Sequence, residues 1–120
     1  MTNVFTIIYT NHMLVPLDGF DWDDANREKC AKHGVSRREI ERLFEHQPAI
    51  YPDPEHSRTE TRFRAIGRVD DRYVFAVFTL REMDGQRMIR PISARFMHAK
   101  EIRHYEQQKA SKATSGTKDG

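Results

Sequence analysis

Apolar residues in the first half of the chain recur at the spacing of an α-helix, between clear start and stop signals. Asp21 or Asp23 is a suitable N-cap for a first helix, and Gly34 is the natural left-handed residue just after its end. Ser36 and Glu39 then form a capping box that begins a second helix. The buried stripe of this second helix consists of Ile40, Leu43 and Phe44.

From residue 49 the apolar residues alternate with polar ones, which is the period of a β-strand. The alternating segments are "AIYPDP", "TRFRAIGR", "RYVFAVFTLR" and "QRMIRPISAR". Tight turns at Asp70-Asp71 and Asp84-Gly85 join the last three, and residues 98–108 follow as a helix. The order helix–helix–strands–helix predicts an α+β domain, with helices packed on one face of an antiparallel sheet.

The length of 120 residues indicates one domain with a modest core. We assign residues 15–108 to this domain and residues 1–14 to an N-terminal extension that contains a short β-prone run. Residues 109–120 are small and polar, which predicts a flexible tail.

Cysteine content and apolar runs indicate the compartment. Cys30 is the single cysteine, so an internal disulfide is excluded, and a lone cysteine on a polar helix is typically incidental. The apolar run at residues 4–9 is too short to cross a bilayer and lacks the flanks of a signal peptide. We therefore expect a cytoplasmic protein that does not associate with membranes.

Pairing the first hairpin about its turn brings basic residues onto one face of the sheet. Arg62, Arg64 and Arg81 share this face with Thr79, because alternate residues of a strand point the same way. The apolar residues of the same strands take the opposite face, where helices can cover them: Phe63, Ala65, Ala76, Phe78 and Leu80.

The second hairpin leaves the side of one arginine open. With a strict two-residue turn, Arg90 joins the basic face and Arg95 points the other way. Pro91 cannot donate a ladder hydrogen bond and favours an edge or a bulge. One bulge residue near Pro91 would return Arg95 to the side of Arg81.

The basic residues hint at an anionic partner. The net charge is only +2, but arginine suits bidentate phosphate recognition better than lysine does. An antiparallel sheet often has one solvated face, and arginines are ordinary there. The pattern alone therefore leaves a phosphate-binding surface and a plain solvated face both open.

Four stretches occur in a characteristic order over residues 20–106: "FDWDDANREKCAKHGVSRREIERLF", "DPEHSRTETRFRAIGR", "VFAVFTLR" and "IRPISARFMHAKEIRHYE". Together they resemble the BrnT toxins of bacterial type II toxin–antitoxin systems. The resemblance implies a RelE-like fold and a ribonuclease that acts without the ribosome and arrests growth. It also implies neutralisation by a BrnA-type antitoxin, usually in a heterotetramer, and contact with promoter DNA only through that antitoxin.

The resemblance also suggests site residues. The catalytic candidates that it carries over are His33, Arg62, Arg81 and Arg95, with Lys32 as a phosphate contact. Arg64 and Arg90 are further substrate-binding candidates because they belong to the predicted basic face.

Metal-independent RNA cleavage needs a group that takes the 2′-hydroxyl proton and a group that protonates the leaving oxygen. It also needs cations for the charge that grows on the phosphorane. His33 is our candidate for one of the proton transfers, acid or base, and the arginines for the charge. A histidine just before a helix-ending glycine is also favourable for capping alone, so His33 has a purely structural explanation as well.

Other chemistry is not indicated by the motifs. The sequence has no histidine pair at metal-ligand spacing, no cysteine pair and no glycine-rich phosphate loop, so we expect no metal and no cofactor. Besides a ribonuclease toxin, two hypotheses stay open: a non-catalytic nucleic-acid-binding module, and a degenerate toxin kept as an antitoxin-binding partner. The position of His33 relative to the arginine face discriminates between catalysis and binding.

Overall fold

The computed structural model describes residues 5–8, 14–56 and 59–118, with side chains described at 15–55 and 59–110. In chain order, the helices and strands are β1 (Phe5–Ile8), β2 (Leu14–Leu17), β3 (Gly19–Phe20), α1 (Asp24–Ala31), α2 (Arg37–Glu45), β4 (Ala49–Pro52), β5 (Phe63–Val69), β6 (Arg72–Met83), β7 (Gln86–Phe96) and α3 (Ala99–Lys118). The predicted α+β class is confirmed.

The central sheet has five strands in the order β3-β7-β6-β5-β4. Strand β3 runs parallel to β7, whereas the other neighbouring pairs are antiparallel. The expectation of a wholly antiparallel sheet is therefore wrong at this edge, and the sheet is mixed. Strands β1 to β3 precede the first helix, whereas the predicted element order began with that helix. Strand β1 lies in the β-prone run that was predicted at residues 4–9, whereas β2 (LVPL) has no polar residue and β3 has only two residues, so neither shows alternation.

Both predicted hairpin turns are confirmed. Asp70, between β5 and β6, adopts a φ of 56°, and Asp84 and Gly85, between β6 and β7, adopt 53° and 78°. Aspartate and glycine tolerate this left-handed region, and such turns match the twist of the strands that they join.

A bulge in β7 determines on which face of the sheet Arg95 lies. Val77 lies opposite Ser93 but Phe78 lies opposite Pro91, so Ile92 is an extra residue in the ladder. Beyond it, Arg95 lies opposite Phe75. Arg95 is therefore on the face that carries Arg81, as the bulge hypothesis required.

The sheet has two distinct faces. We call arginine face the side that carries the predicted arginines: Arg62, Arg64, Arg81, Arg90 and Arg95. The opposite, apolar face carries fully buried residues such as Ala65, Ala76 and Phe78, as predicted. Helix α2 packs on it through Phe44, whose ring meets that of Phe78 edge-on at 4.9 Å.

Helix α3 packs on the arginine face instead. Buried Tyr105 meets the ring of Tyr73 edge-on at 6.0 Å, and Tyr73 alternates with Phe75 on that side of β6. The expectation that the helices share one face is therefore wrong. The arginine face ends in the aromatic residues Tyr73 and Phe75, and α3 packs over this end. The helix also continues to Lys118, through most of the segment predicted as a flexible tail.

Helix α1 is fixed to β7 by the side chain of Asn26, which is 5% exposed. Its amide nitrogen donates to the backbone carbonyls of Pro91, at 2.9 Å, and Asp21, at 3.0 Å. Asn26 also forms a capping box with Asp23, so Asp23, and not Asp21, is the N-cap of α1. The predicted box of Ser36 at the start of α2 is confirmed.

The predicted N-terminal extension contributes a strand. Strand β1 pairs with β2 as an antiparallel two-stranded sheet, and Leu17 in β2 is fully buried in the core. Residues 1–4 and 9–13 of this region lie outside the described residues.

We expect Gly67→Ala to lower the free energy of unfolding by about 1–3 kcal/mol. An added Cβ would lie 2.8 Å from Cδ1 of Leu43 and 3.3 Å from Cβ of Pro48. Leu43 is fully buried and cannot swing aside. Denaturant unfolding measures the effect. Combined with Leu43→Ala, the substitution should cost less than the sum of the single changes, and strict additivity would contradict the close approach.

Candidate functional site

Each predicted arginine of the face lies against a carboxylate. The pairs are Arg62–Glu60 at 3.4 Å, Arg64–Asp53 at 2.9 Å, Arg81–Asp21 at 3.9 Å, Arg90–Asp23 at 2.8 Å and Arg95–Glu101 at 2.8 Å. Like charges crowded on a sheet are destabilising, and these carboxylates offset that repulsion. Sequence reasoning missed these partners, because most lie outside the strands or far away along the chain.

Arg90 of β7 links this strand to the residues just before α1. It bonds Asp21 and Asp23, and its side chain is only 16% exposed. Burial works to lower the pKa of Arg90, but the two aspartates outweigh it and raise that pKa. A backbone N–H from Asn26, and then Arg90, hold the pKa of Asp23 below its usual value. Arg90 and Asp23 therefore stay charged near neutral pH.

Arg64 is also strongly held within the fold. Its Nε and one terminal nitrogen both donate to the same oxygen of Asp53, at 3.1 and 2.9 Å. The side chain of Asp53 is completely buried, and a buried charge needs such a partner. Arg64 thus has a structural task that competes with ligand binding.

Arg81 is the most accessible of the five arginines, with 49% of its side chain exposed and the longest ion pair. Together with Arg62, Arg90 and Lys29 it lines a depression of about 240 Å³, which we call the cationic hollow. Glu60 lies in the same wall. Cations from α1, β6, β7 and the segment before β5 converge here, so the hollow suits an anionic ligand.

Lys29 is a residue of the cationic hollow that sequence reasoning missed. It is exposed on α1, three positions after Asn26, whose side chain is fixed to β7. Residues three apart on a helix share a face, so anchoring Asn26 turns Lys29 toward the sheet. The sequence signal was this spacing, but the anchor at Pro91 could not be seen from it.

His33 lies in the turn after α1, one residue beyond the C-cap Lys32. It is exposed and lines a second depression of about 380 Å³. We call this the histidine hollow; its lining is His33, Arg72, Arg95, Phe96, Met97 and His98. The fold thus brings His33 together with Arg95, but neither with Arg62 nor with Arg81. Lys32 is exposed and lines neither hollow.

Arg95 is oriented by two neighbours. Its two terminal nitrogens donate to the two oxygens of Glu101, both at 2.8 Å, and its guanidinium lies 4.8 Å from the ring centre of Phe75. The hydrogen bond from Arg95, followed by one from the His98 backbone, lowers the pKa of Glu101 to about 2. The hydrogen bond from Glu101 in turn raises the pKa of Arg95.

Nucleophile and metal chemistry find little support in the described residues. Cys30 is buried, and burial raises the pKa of its thiol to about 11, so the reactive thiolate is scarce at neutral pH. Within residues 15–55 and 59–110, no three potential metal ligands of the His, Cys, Asp and Glu types lie together. Of the helices that the structure describes, none is long and apolar enough to cross a membrane.

Comparison with known protein families decides the identity. A family model described as "Ribonuclease toxin, BrnT, of type II toxin-antitoxin system" matches residues 22–101, well over half of the chain. The chain belongs to this BrnT family. Both hollows lie inside the matched segment. A ribonuclease toxin of this type implies an RNA target and an antitoxin partner.

No curated protein and no solved structure matches the chain. The RelE-like fold and the BrnA-type partner therefore stay predictions.

We expect the Arg95–Glu101 pair to contribute about 1 kcal/mol of stability or less, because both side chains are partly exposed. The folded-state pKa of Glu101, about 2, lies below its ordinary value of 4.5. The contribution is therefore present above pH 4.5 and is lost as the pH falls toward 2. Glu101→Gln should flatten the acid dependence of the unfolding free energy in that window, and Arg95→Gln should do the same. An unchanged acid dependence in both variants would exclude the pair as its source.

Proposed function

We propose that this BrnT-family chain is an endoribonuclease that cleaves RNA without a metal ion and without the ribosome, and that a BrnA-type antitoxin neutralises it in the cytoplasm. The observation that carries the proposal is the histidine hollow, in which His33 and Arg95 line one depression. An imidazole can transfer protons near neutral pH, and an arginine beside it can stabilise phosphorane charge.

The two hollows have complementary tasks in this proposal. Arg90 and Ile92 of β7 belong to the cationic hollow, and Arg95 and Phe96 of the same strand to the histidine hollow. Strand residues rise by about 3.3 Å each, so the residues of the two hollows lie roughly 10–20 Å apart along β7. One RNA strand passes over both: the cationic hollow holds a flanking phosphate, and the scissile phosphate sits beside His33.

The residues then act as follows. His33 takes or gives a proton at the scissile phosphate, and Arg95, fixed by Glu101, faces the charge that grows on the non-bridging oxygens. Arg81, Arg62 and Lys29 hold the flanking phosphate. Arg64 and Arg90 keep their own carboxylate partners, and Arg90 forms part of the wall of the cationic hollow. Lys32, next to His33 in the chain, contacts the RNA backbone at the rim.

A second function has one observation in its favour. His33 does not line the hollow that holds Arg62 and Arg81. A non-catalytic module that binds nucleic acid or the antitoxin through the cationic hollow would need no histidine there. The two functions differ in one measurable respect, which is whether bound RNA is cut.

Purified protein incubated with RNA in EDTA should cleave it, and His33→Gln should reduce the rate by roughly 100-fold or more, as expected for the loss of a proton-transfer group. Arg81→Ala should instead weaken RNA binding by about tenfold, in line with one lost charge-assisted hydrogen bond. Arg38→Ala is the matched control, because Arg38 is exposed on α2 and lines neither hollow.

The outcomes separate the functions. Binding without cleavage by the wild type would favour the binding module. Cleavage that survives both His33→Gln and Arg81→Ala would point to a contaminant or to a site elsewhere, and cleavage that stops in EDTA would refute metal independence.

Expression of the chain alone should arrest growth, and co-expression of the small reading frame beside its gene should relieve the arrest, because type II antitoxins act by binding the toxin protein. His33→Gln should not arrest growth but should still co-purify with the antitoxin. Light scattering of the purified complex should give the mass of two copies of each protein. Relief of arrest without a stable protein complex would contradict neutralisation by binding.

A further inference from the structure

The histidine hollow contains a second imidazole that sequence reasoning did not connect with the first. His98 is exposed and lines the same depression of about 380 Å³ as His33, although 65 positions separate them in the chain. A hollow of this size falls within the range of small-ligand sites, roughly 300–1,000 Å³. Two imidazoles at one small site match the need of RNA cleavage for one proton acceptor and one proton donor.

The backbone of His98 is held in place. His98 is the residue just before α3, and its N–H donates to Oε1 of Glu101 at 3.0 Å, while its carbonyl accepts from the N–H of Ile102 at 3.0 Å. Glu101 also accepts two hydrogen bonds from Arg95. One carboxylate thus fixes both a histidine and an arginine of the hollow.

Arg72 supplies a cation of a different kind from the arginines of the cationic hollow. It is exposed, and its guanidinium carbon lies 3.3 Å from the ring centre of Phe96. Within the part of the chain that the structure describes, Arg72 makes no ion pair, whereas Arg95, which lines the same hollow from the arginine face, is bound to Glu101. A guanidinium over an aromatic ring can still donate hydrogen bonds from its edge to a phosphate.

We propose that His33 and His98 are the two proton-transfer residues of the BrnT-family chain and that Arg72 binds the scissile phosphate. This inference rests on the ribonuclease function proposed above and names the second half of its catalytic machinery. All the proton-transfer chemistry then takes place in the histidine hollow, and the cationic hollow only binds RNA.

The reaction balances with these groups alone. One imidazole removes the proton from the 2′-hydroxyl, and the 2′-oxygen forms a bond to phosphorus. The other, as imidazolium, gives its proton to the 5′-oxygen as the bond between phosphorus and that oxygen breaks. The products are a 2′,3′-cyclic phosphate and a 5′-hydroxyl, and a proton exchange with water restores the two imidazoles.

A substrate with sulfur in place of the bridging 5′-oxygen tests the assignment, because a thiolate leaves without being protonated. On ordinary RNA, His33→Gln and His98→Asn should each cleave roughly 100-fold more slowly than the wild type. On the sulfur substrate, the variant that lacks the acid should recover to near the wild-type rate, and the variant that lacks the base should not. Asparagine at position 98 preserves a good helix N-cap, so α3 keeps its start.

Matched controls guard this experiment. His104→Asn removes an exposed histidine of α3 that lies outside the hollow, and it should leave both rates unchanged. Thermal unfolding checks that His98→Asn folds, and His98→Ser, which also keeps an N-cap residue, replaces it if it does not.

The remaining outcomes distinguish failure of the histidine pair from failure of the ribonuclease function. If His98→Asn cleaves both substrates like the wild type, the assignment of His98 is overturned while the ribonuclease function stands. If both variants are slow and neither recovers on the sulfur substrate, neither residue is the acid and the pairing is overturned. A wild type that cleaves neither substrate refutes the ribonuclease function, and this inference with it.

The role of Arg72 is tested by the affinity for an uncleavable RNA with a 2′-deoxy sugar at the cleaved position. Arg72→Gln should weaken binding by about tenfold, and Arg72→Lys by less, because lysine keeps the charge but loses the planar fork. Arg68→Gln is the control: Arg68 also lies over an aromatic ring, that of Tyr73, but outside the hollow. Equal losses in Arg72→Gln and Arg68→Gln would mean a general charge effect and would overturn the specific role.

Discussion

The hydrogen bonds of the buried Asn26 amide hold α1 against the sheet. They join the start of α1 to the carbonyl of Pro91, where β7 carries its bulge. Lys29 reaches the cationic hollow from α1, and His33 follows the end of the same helix, so both hollows depend on where α1 is docked. A buried donor that loses its acceptor costs about 1–3 kcal/mol, which makes any other placement of α1 unfavourable.

The carboxylates beside the arginines shape the surface in two ways. They hold each guanidinium in one orientation, and they keep the surface near neutrality before a ligand arrives. An anionic ligand at Arg81 would therefore compete with Asp21, where the ion pair is long, whereas Arg72 has no ion pair within the described residues. A partly exposed ion pair such as Arg81–Asp21 is worth about 0–1 kcal/mol, so a phosphate can displace it.

Features that depend on neighbouring residues could be predicted from the sequence. The Ser36–Glu39 capping box, the Asp84-Gly85 turn and the alternation that puts Arg62 and Arg81 on one face are all local. The parallel pairing of β3 with β7 and the docking of Tyr105 on Tyr73 join distant segments, and no local pattern encodes them. The same limit hid the histidine hollow, whose two imidazoles come from distant parts of the chain.

The extra residue Ile92 makes the length of β7 as meaningful as its composition. It reverses the odd–even alternation of the strand, so that Arg90 and Arg95, an even and an odd position, emerge on the same side. Substitutions leave this alternation unchanged. A one-residue insertion or deletion here would move every later side chain of β7 to the opposite face of the sheet. This strand should therefore vary in its residues among related chains and keep its residue count.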